Sequence, residues 1–229
     1  MKSFVYGGSK GIGLAIAKQL SKSDHIVYSI SRNEPNNIKK SDNINSLIND
    51  INSLVPPKKL SDSLKKGPIN IIFSQRYRGK DEIQEINTML YAPIKIMDKI
   101  SKDLKSNSNI IFIGSTASFS TVYNQNALYH ATRGAISSLA KYYAVKLARN
   151  KVKVHLVNPT TTIKSYNEEY FKQNKDLSNK IREKIPMAKI PNENDIAICI
   201  DNLLSGNWPS LTGVSLNIDG GTSLLYPGL

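Results

Sequence analysis

Apolar residues along this chain fall into short unbroken runs, separated by longer stretches in which they recur every three or four positions. Seven runs read as strands: residues 3–6, 26–30, a weaker one around Leu47, 69–73, 110–113, 152–157 and 214–218. Several are apolar at every position, as strands covered on both faces are. Residues 11–22, a short stretch around Leu60, and 81–105, 126–150 and 193–205 read as helices. Ile136, Leu139, Tyr143 and Leu147 give the one at 126–150 an apolar stripe along its length. The alternation predicts an α/β architecture, a parallel seven-stranded sheet with helices on both faces.

One stretch breaks the rhythm. Residues 160–190 are weakly periodic and densely polar, with YNEEYF near their start, and are read as a candidate lid over a ligand cleft. At 229 residues the chain is sized for one large domain, taken here as 1–229.

Composition narrows the chemistry. The single cysteine, Cys199, excludes an intrachain disulfide and a cysteine metal cluster, and reads as an inert buried thiol. His25, His130 and His155 converge with no acid or thiol at metal-ligand spacing. Trp208 reads as a loop anchor. No run approaches the roughly 20 apolar residues of a membrane span, and the apolar start is too short for a signal peptide. The expected location is the cytoplasm. Lys plus Arg number 31 against 18 Asp plus Glu, a formal +13. The lysines are dispersed in pairs such as Lys39-Lys40, Lys58-Lys59 and Lys65-Lys66, with no nucleic-acid module beside them, so they read as solvated faces rather than a nucleic-acid surface.

The first strand runs directly into YGGSKGIG and an apolar helix. Gly7, Gly11 and Gly13 let the backbone approach a pyrophosphate, and a helix N-terminus offers unpaired N–H groups to its charge. An Asp or Glu after the second strand would mark a free adenosine ribose. Here Ser31, Arg32 and Asn33 stand there, with Lys10 in the glycine turn, and two cations with a hydroxyl suit a 2′-phosphate. NADP(H) is therefore preferred over NAD(H), with Glu34 as the opposing neighbour.

Further along, Tyr129 and Arg133 in YHATR lie four residues apart, on one face of the helix. With IIFIGSTAS before that helix, YGGSKGIG at the start, VHLVNPTTT after the sixth strand and IPMAKIPNENDIA and LTGVSLNIDGGTSL at the end, the chain resembles the classical short-chain dehydrogenase/reductases over nearly its whole length. The resemblance implies a single-domain Rossmann fold and hydride transfer between a nicotinamide and a carbonyl or alcohol carbon. It places the family's serine at Ser115, with Thr116 as rival, and its tyrosine at Tyr129. The cofactor residues it and the glycine turn suggest are Gly7, Ser9, Lys10, Gly11, Ile12, Gly13, Ser31, Arg32, Asp50, Ser74 and Arg133. It also implies a homodimer or homotetramer, to which the closing TSLLYPGL with Leu224, Leu225 and Tyr226 could contribute.

The chemistry of the residues agrees. A phenol, ordinarily at a pKa of about 10, exchanges protons poorly at neutral pH unless a cation stabilises its anion. The family uses lysine where Arg133 stands, and arginine supplies the charge but passes no proton. Met89 falls where the family has a proton-relaying asparagine, with Asn87 two residues away. Ser74, Gln75, Arg76 and Tyr77 replace the family's small cofactor-lining residues, and Arg76 and Tyr77 either clasp the cofactor or fill its cleft. The segments flanking the second to fourth strands are short, which predicts an open adenine side. Two readings follow: an NADP(H)-dependent oxidoreductase of modest power, or a non-catalytic nucleotide-binding or structural relative. A dehydration or isomerisation with Tyr129 as base is a third.

Overall fold

Strand β1 (Lys2–Tyr6) is an interior strand, third from one edge of a seven-stranded sheet in which every pairing is parallel. The others are β2 (Ile26–Ser31), β3 (Ile44–Ile48), β4 (Ile69–Phe73), β5 (Asn109–Ile113), β6 (Lys153–Pro159) and β7 (Ser215–Ile218), in the spatial order β3-β2-β1-β4-β5-β6-β7. The computed structural model describes residues 1–35, 38, 42–123 and 125–225, so the Lys39-Lys40 pair and Tyr226 lie outside the described residues.

Period-two alternation along β1 sends Phe4 and Tyr6 to one face of the sheet and Val5 to the other, and each face builds its own core. On the first face, α2 (Lys58–Leu64), α4 (Ala92–Ile100) and α5 (Ala127–Ala148) cover Phe4, Ile71, Phe112 and Leu156. In register, Tyr6 pairs Phe73 and Phe73 pairs Phe112, so their rings stack across three strands with centroids 5.2 and 5.1 Å apart. Stacked pairs of this kind add about 0.5–1.5 kcal/mol each beyond their burial. On the second face, α1 (Gly11–Lys22) and α8 (Glu193–Leu204) pack together over Val5, Val27, Ile111 and Val157. α8 begins in a capping box between Asn192 and Asp195.

The chain reverses direction across the sheet between β1 and β4, and the crevice beyond the carboxyl ends of these strands is where such sheets bind ligands. The helix predicted over 81–105 is three pieces: α3 (Glu82–Ile86), a π-helical turn (Asn87–Tyr91) and α4. Segment 160–190 carries α6 (Glu168–Gln173) and α7 (Lys175–Glu183), pinned at its ends by the bridge of Ile163 to Asn192 and by buried Ile185 and Ile190.

Two expectations need correcting. Cys199 is half-buried rather than buried, and burial still pushes its thiol up. Trp208 is 52% exposed, so its ring is only half covered rather than a buried anchor, and its carbonyl accepts from Lys153 Nζ at 2.7 Å and from the Leu211 N–H at 3.3 Å.

Candidate active site

The glycine turn is shaped by contacts that leave no room for side chains. Gly7 has φ +77° and donates its N–H to the Ile30 carbonyl at 2.8 Å. A Cβ on Gly13 would lie 2.2 Å from the Gly7 carbonyl oxygen, and one on Gly7 would lie 2.6 Å from Gln75 Cα. Helix α1 follows with neither a side-chain cap nor an acid in its first turn, so its N-terminal N–H groups and dipole face the crevice ready for an anion.

Two cavities meet there. The outer one, of about 440 Å³, is lined by Gly7, Ser9, Lys10, Ser31, Arg32, Asp50 and Ser74, with Glu34, Asn49 and Gln75. The inner one, of about 100 Å³, is lined by Gly11, Ile12, Gly13, Ser115, Tyr129 and Arg133, and shares Lys10, Ser74, Gln75, Arg76 and Arg78 with the outer. Apart from Thr116, the rival to Ser115, every residue the sequence nominated for cofactor or catalysis therefore borders one of the two. Asp50 Oδ1 caps a 3₁₀ turn by accepting from Asn52 N–H at 2.9 Å, which fixes the rim of the outer cavity.

Tyr129 is held by the start of α5. Asn126 Oδ1 accepts the Tyr129 N–H at 2.8 Å as N-cap. His130 ties down the preceding loop: its Nε2 accepts the Val122 N–H at 2.9 Å, which leaves Nδ1 to donate to the Asn126 carbonyl at 2.9 Å. That tether was not visible in the sequence, where His130 had no evident partner. Ser115 begins a 3₁₀ turn and accepts the Ala117 N–H; Thr116 is buried and does not line the inner cavity, so Ser115 is the serine that meets Tyr129.

Around the phenol, charge accumulates. The guanidinium of Arg133 lies 4.9 Å from the Tyr129 ring centroid and that of Arg76 lies 5.1 Å from it. Burial by itself pushes the phenol up, but the Arg133 charge, the Ser115 hydroxyl within hydrogen-bonding reach, Arg76 and the N–H groups of Arg133 outweigh it. The hydroxyl consequently sits below its ordinary value. Arg133 is buried and donates Nη1–H to the Ile113 carbonyl at 3.1 Å, while burial pulls it below the usual guanidinium value. Met89 contributes no donor: buried, its sulfur accepts the Tyr77 N–H at 3.4 Å.

Arg76 points into the inner cavity, whereas the Tyr77 hydroxyl turns back to accept the Asp81 N–H at 3.2 Å. Segment 160–190 reaches over the same cleft. Tyr166 stands 3.0 Å from where a Cβ on Gly11 would be, and its hydroxyl is held by Arg78, whose guanidinium also covers its ring at 4.7 Å. Lys164 lines the inner cavity and donates to the Thr162 carbonyl at 2.9 Å. Burial first, then Arg76 and Arg78, bring Lys164 down to about 8, against an upward pull from Glu193. Lys164 and Arg78 were not singled out in the sequence; the signal for Arg78 was its place beside Arg76 in QRYR.

These residues fit a dinucleotide. Asn49 Oδ1, Gln75 Oε1 and Arg133 Nε are buried without partners, and all three belong to residues that border the two cavities. The crowded glycine turn leaves a backbone cradle for phosphates. Among the described residues there is no His, Cys, Asp and Glu cluster that could hold a metal ion, and no helix long and apolar enough to cross a membrane.

A family profile described as enoyl-(acyl carrier protein) reductase matches residues 75–223. A tropinone reductase homologue of Arabidopsis thaliana is 26% identical over 96% of this chain and 89% of that relative. Among solved structures, an actinorhodin polyketide ketoreductase with NADPH superposes at a TM-score of 0.80 with 17% identity, covering 98% of this chain and 97% of the other. A 3-oxoacyl-[acyl-carrier protein] reductase from Brucella melitensis in complex with NAD also gives 0.80, at 16% identity and 98% coverage of both. At those identities the superpositions establish the shared fold.

Proposed function

Because this chain belongs to the short-chain dehydrogenase/reductase family, we propose that it is an NADP(H)-dependent oxidoreductase acting on a carbonyl or alcohol, with Arg133 standing where the family's catalytic lysine would be. The observation that carries this reading is the meeting of Ser115, Tyr129 and Arg133 in one cavity with the glycine turn, around a phenol held below its ordinary pKa.

A bound nicotinamide dinucleotide supplies the hydride acceptor or donor. The chain's own residues do the rest. The Ser115 hydroxyl orients the substrate oxygen, and the Tyr129 hydroxyl delivers the proton to it as hydride arrives at carbon. Arg133 stabilises the phenolate left behind, pinned in place by the Ile113 carbonyl. With Arg133 permanently protonated and Met89 offering no proton, Tyr129 regains its proton from water entering the cleft, consistent with modest turnover. Lys10 and Arg32 on the outer cavity, with Ser31, favour the 2′-phosphate of NADP(H). Segment 160–190 acts as the lid, Tyr166 already lying over the glycine turn.

Incubation of the purified protein with NADPH and a panel of ketones and aldehydes should give nucleotide oxidation. In Tyr129→Phe the rate should fall by about 10²–10⁴ while NADPH affinity is kept. Undiminished turnover in that variant would sink the mechanism. One observation favours a second reading, a nucleotide-binding relative without turnover: Arg76 stands over Tyr129 in a small inner cavity. Tight NADPH binding with no turnover across the panel would select it.

A further inference from the structure

We propose that the cations of the inner cavity select the redox state of the nicotinamide, so that NADPH binds at least tenfold more tightly than NADP⁺ and the site runs in the direction of carbonyl reduction. The inference rests on the dinucleotide reading above and goes beyond it, since that reading leaves the direction open.

The inner cavity is lined by Lys10, Arg76, Arg78, Arg133 and Lys164, and by no Asp or Glu. The ion pairs of the described residues, Lys18–Asp42, Lys95–Asp98, Lys172–Glu168 and Lys189–Asp195, involve none of the five. On Lys164 the opposing carboxylate is Glu193 and on Arg133 it is Glu85, each a smaller influence than burial and the neighbouring cations or phenol, and neither lines the cavity. Glu193 Oε1 accepts the Ser165 N–H at 3.2 Å and its Oε2 is buried without a partner, so one carboxylate stands behind Lys164 at the edge of the five cations. The cations feel one another: Arg76 and Arg78 make Lys164 easier to deprotonate, and Arg76 does the same to Arg133. A further positive charge placed among them meets the same repulsion.

Hydride transfer requires the nicotinamide ring to enter the cavity that holds Tyr129 and Ser115, because the carbon that exchanges hydride must approach the carbon whose oxygen Tyr129 serves. The oxidised ring is a pyridinium of charge +1 and the reduced ring is neutral. The phosphates and adenosine are the same in both forms, so their contacts with Lys10, Arg32 and α1 cancel in the ratio of affinities. What remains is the field at the ring, where Arg76 and Arg133 flank Tyr129. A tenfold ratio corresponds to about 1.4 kcal/mol, which one cation within about 10 Å supplies at an effective dielectric near 20. Reduction moves a hydride to the carbonyl carbon and a proton from Tyr129 to its oxygen, and once the Tyr129 phenolate has regained a proton the five cations would disfavour a cationic ring in the cavity. Alcohol oxidation would have to begin by placing that cation there.

Calorimetric titration of the full chain with NADPH and with NADP⁺ at pH 7 and low salt tests this without any substrate. The expected dissociation constant for NADP⁺ is at least tenfold above that for NADPH. Arg76→Gln, on an exposed side chain, should shrink the ratio at least threefold by tightening NADP⁺, and Arg76→Lys should restore it. Equal binding of the two nucleotides, or a ratio unmoved by Arg76→Gln, overturns the inference and leaves the dinucleotide reading standing. Binding of neither nucleotide overturns both.

Discussion

The two halves of the cleft are built from the same loops to different ends. The outer half is roomy, about 440 Å³, and mixes Lys10, Arg32, Arg76 and Arg78 with Glu34, Asp50 and several neutral amides and hydroxyls. The inner half is about 100 Å³ and has five cations and no carboxylate. Pockets that bury a whole small molecule run to roughly 300–1,000 Å³, so the outer half has the dimensions of a recognition site and the inner half has the reactive groups. The residues after β4, Ser74, Gln75, Arg76 and Arg78, border both. Under the proposed function, recognition and chemistry are separated by one loop, and substitutions on either side of it should separate them too.

The largest effect is expected where the halves share a foundation. In Gly13→Ala the new Cβ meets the Gly7 carbonyl, a backbone atom that cannot swing aside, and the glycine turn must open. Overpacking of this kind costs about 1–3 kcal/mol, read as a lower Tm, and NADPH binding should be abolished with it. Retained binding would mean that the nucleotide does not use this turn. A smaller effect, confined to the outer half, is expected from Arg32→Gln. Losing one charge-assisted hydrogen bond should weaken NADPH by about tenfold and leave NADH unchanged, as competitive titration would show. Equal weakening of both would remove Arg32 from 2′-phosphate recognition.

The same division governs what the sequence made legible. Strand runs, the glycine turn and the Tyr129–Arg133 spacing are local patterns, and the sheet, the outer cavity and the start of α5 follow from them. Even the weak run around Leu47 is a strand; it is weak because β3 lies at the sheet edge with Ile48 exposed, so its pattern is only half apolar. The break at Asn87–Tyr91 escaped because apolar spacing on both sides continues smoothly while a π turn shifts the phase, and any argument that sets Asn87 off the Met89 face assumes 3.6 residues per turn. The cations escaped for another reason. Lys164 and Arg78 sit on irregular segments, where no period says which way a side chain turns, and only the folded chain brings them to one cavity.

The smallest effect tests whether that gathering of charge is real. Lys164 is brought from its ordinary 10.5 down to about 8, by burial first and then by Arg76 and Arg78. Below about pH 8 both folded and unfolded chains carry the proton, and the folded one bears the full cost of a charge that is buried first and crowded by Arg76 and Arg78 second. Between about 8 and 10.5 the unfolded chain binds more protons than the folded one, so this residue's contribution makes stability rise with pH. Lys164→Met removes the cost, at the loss of the bond to the Thr162 carbonyl. Relative to the parent, the Tm of Lys164→Met should be highest at pH 7, on the order of 2 °C after allowing for the screening of a partly exposed group. That difference should shrink steadily as pH rises from 8 to 10.5. A difference that stays flat across that window would show that Lys164 titrates as an ordinary surface lysine and that the inner half is not the crowded cationic site its side chains describe.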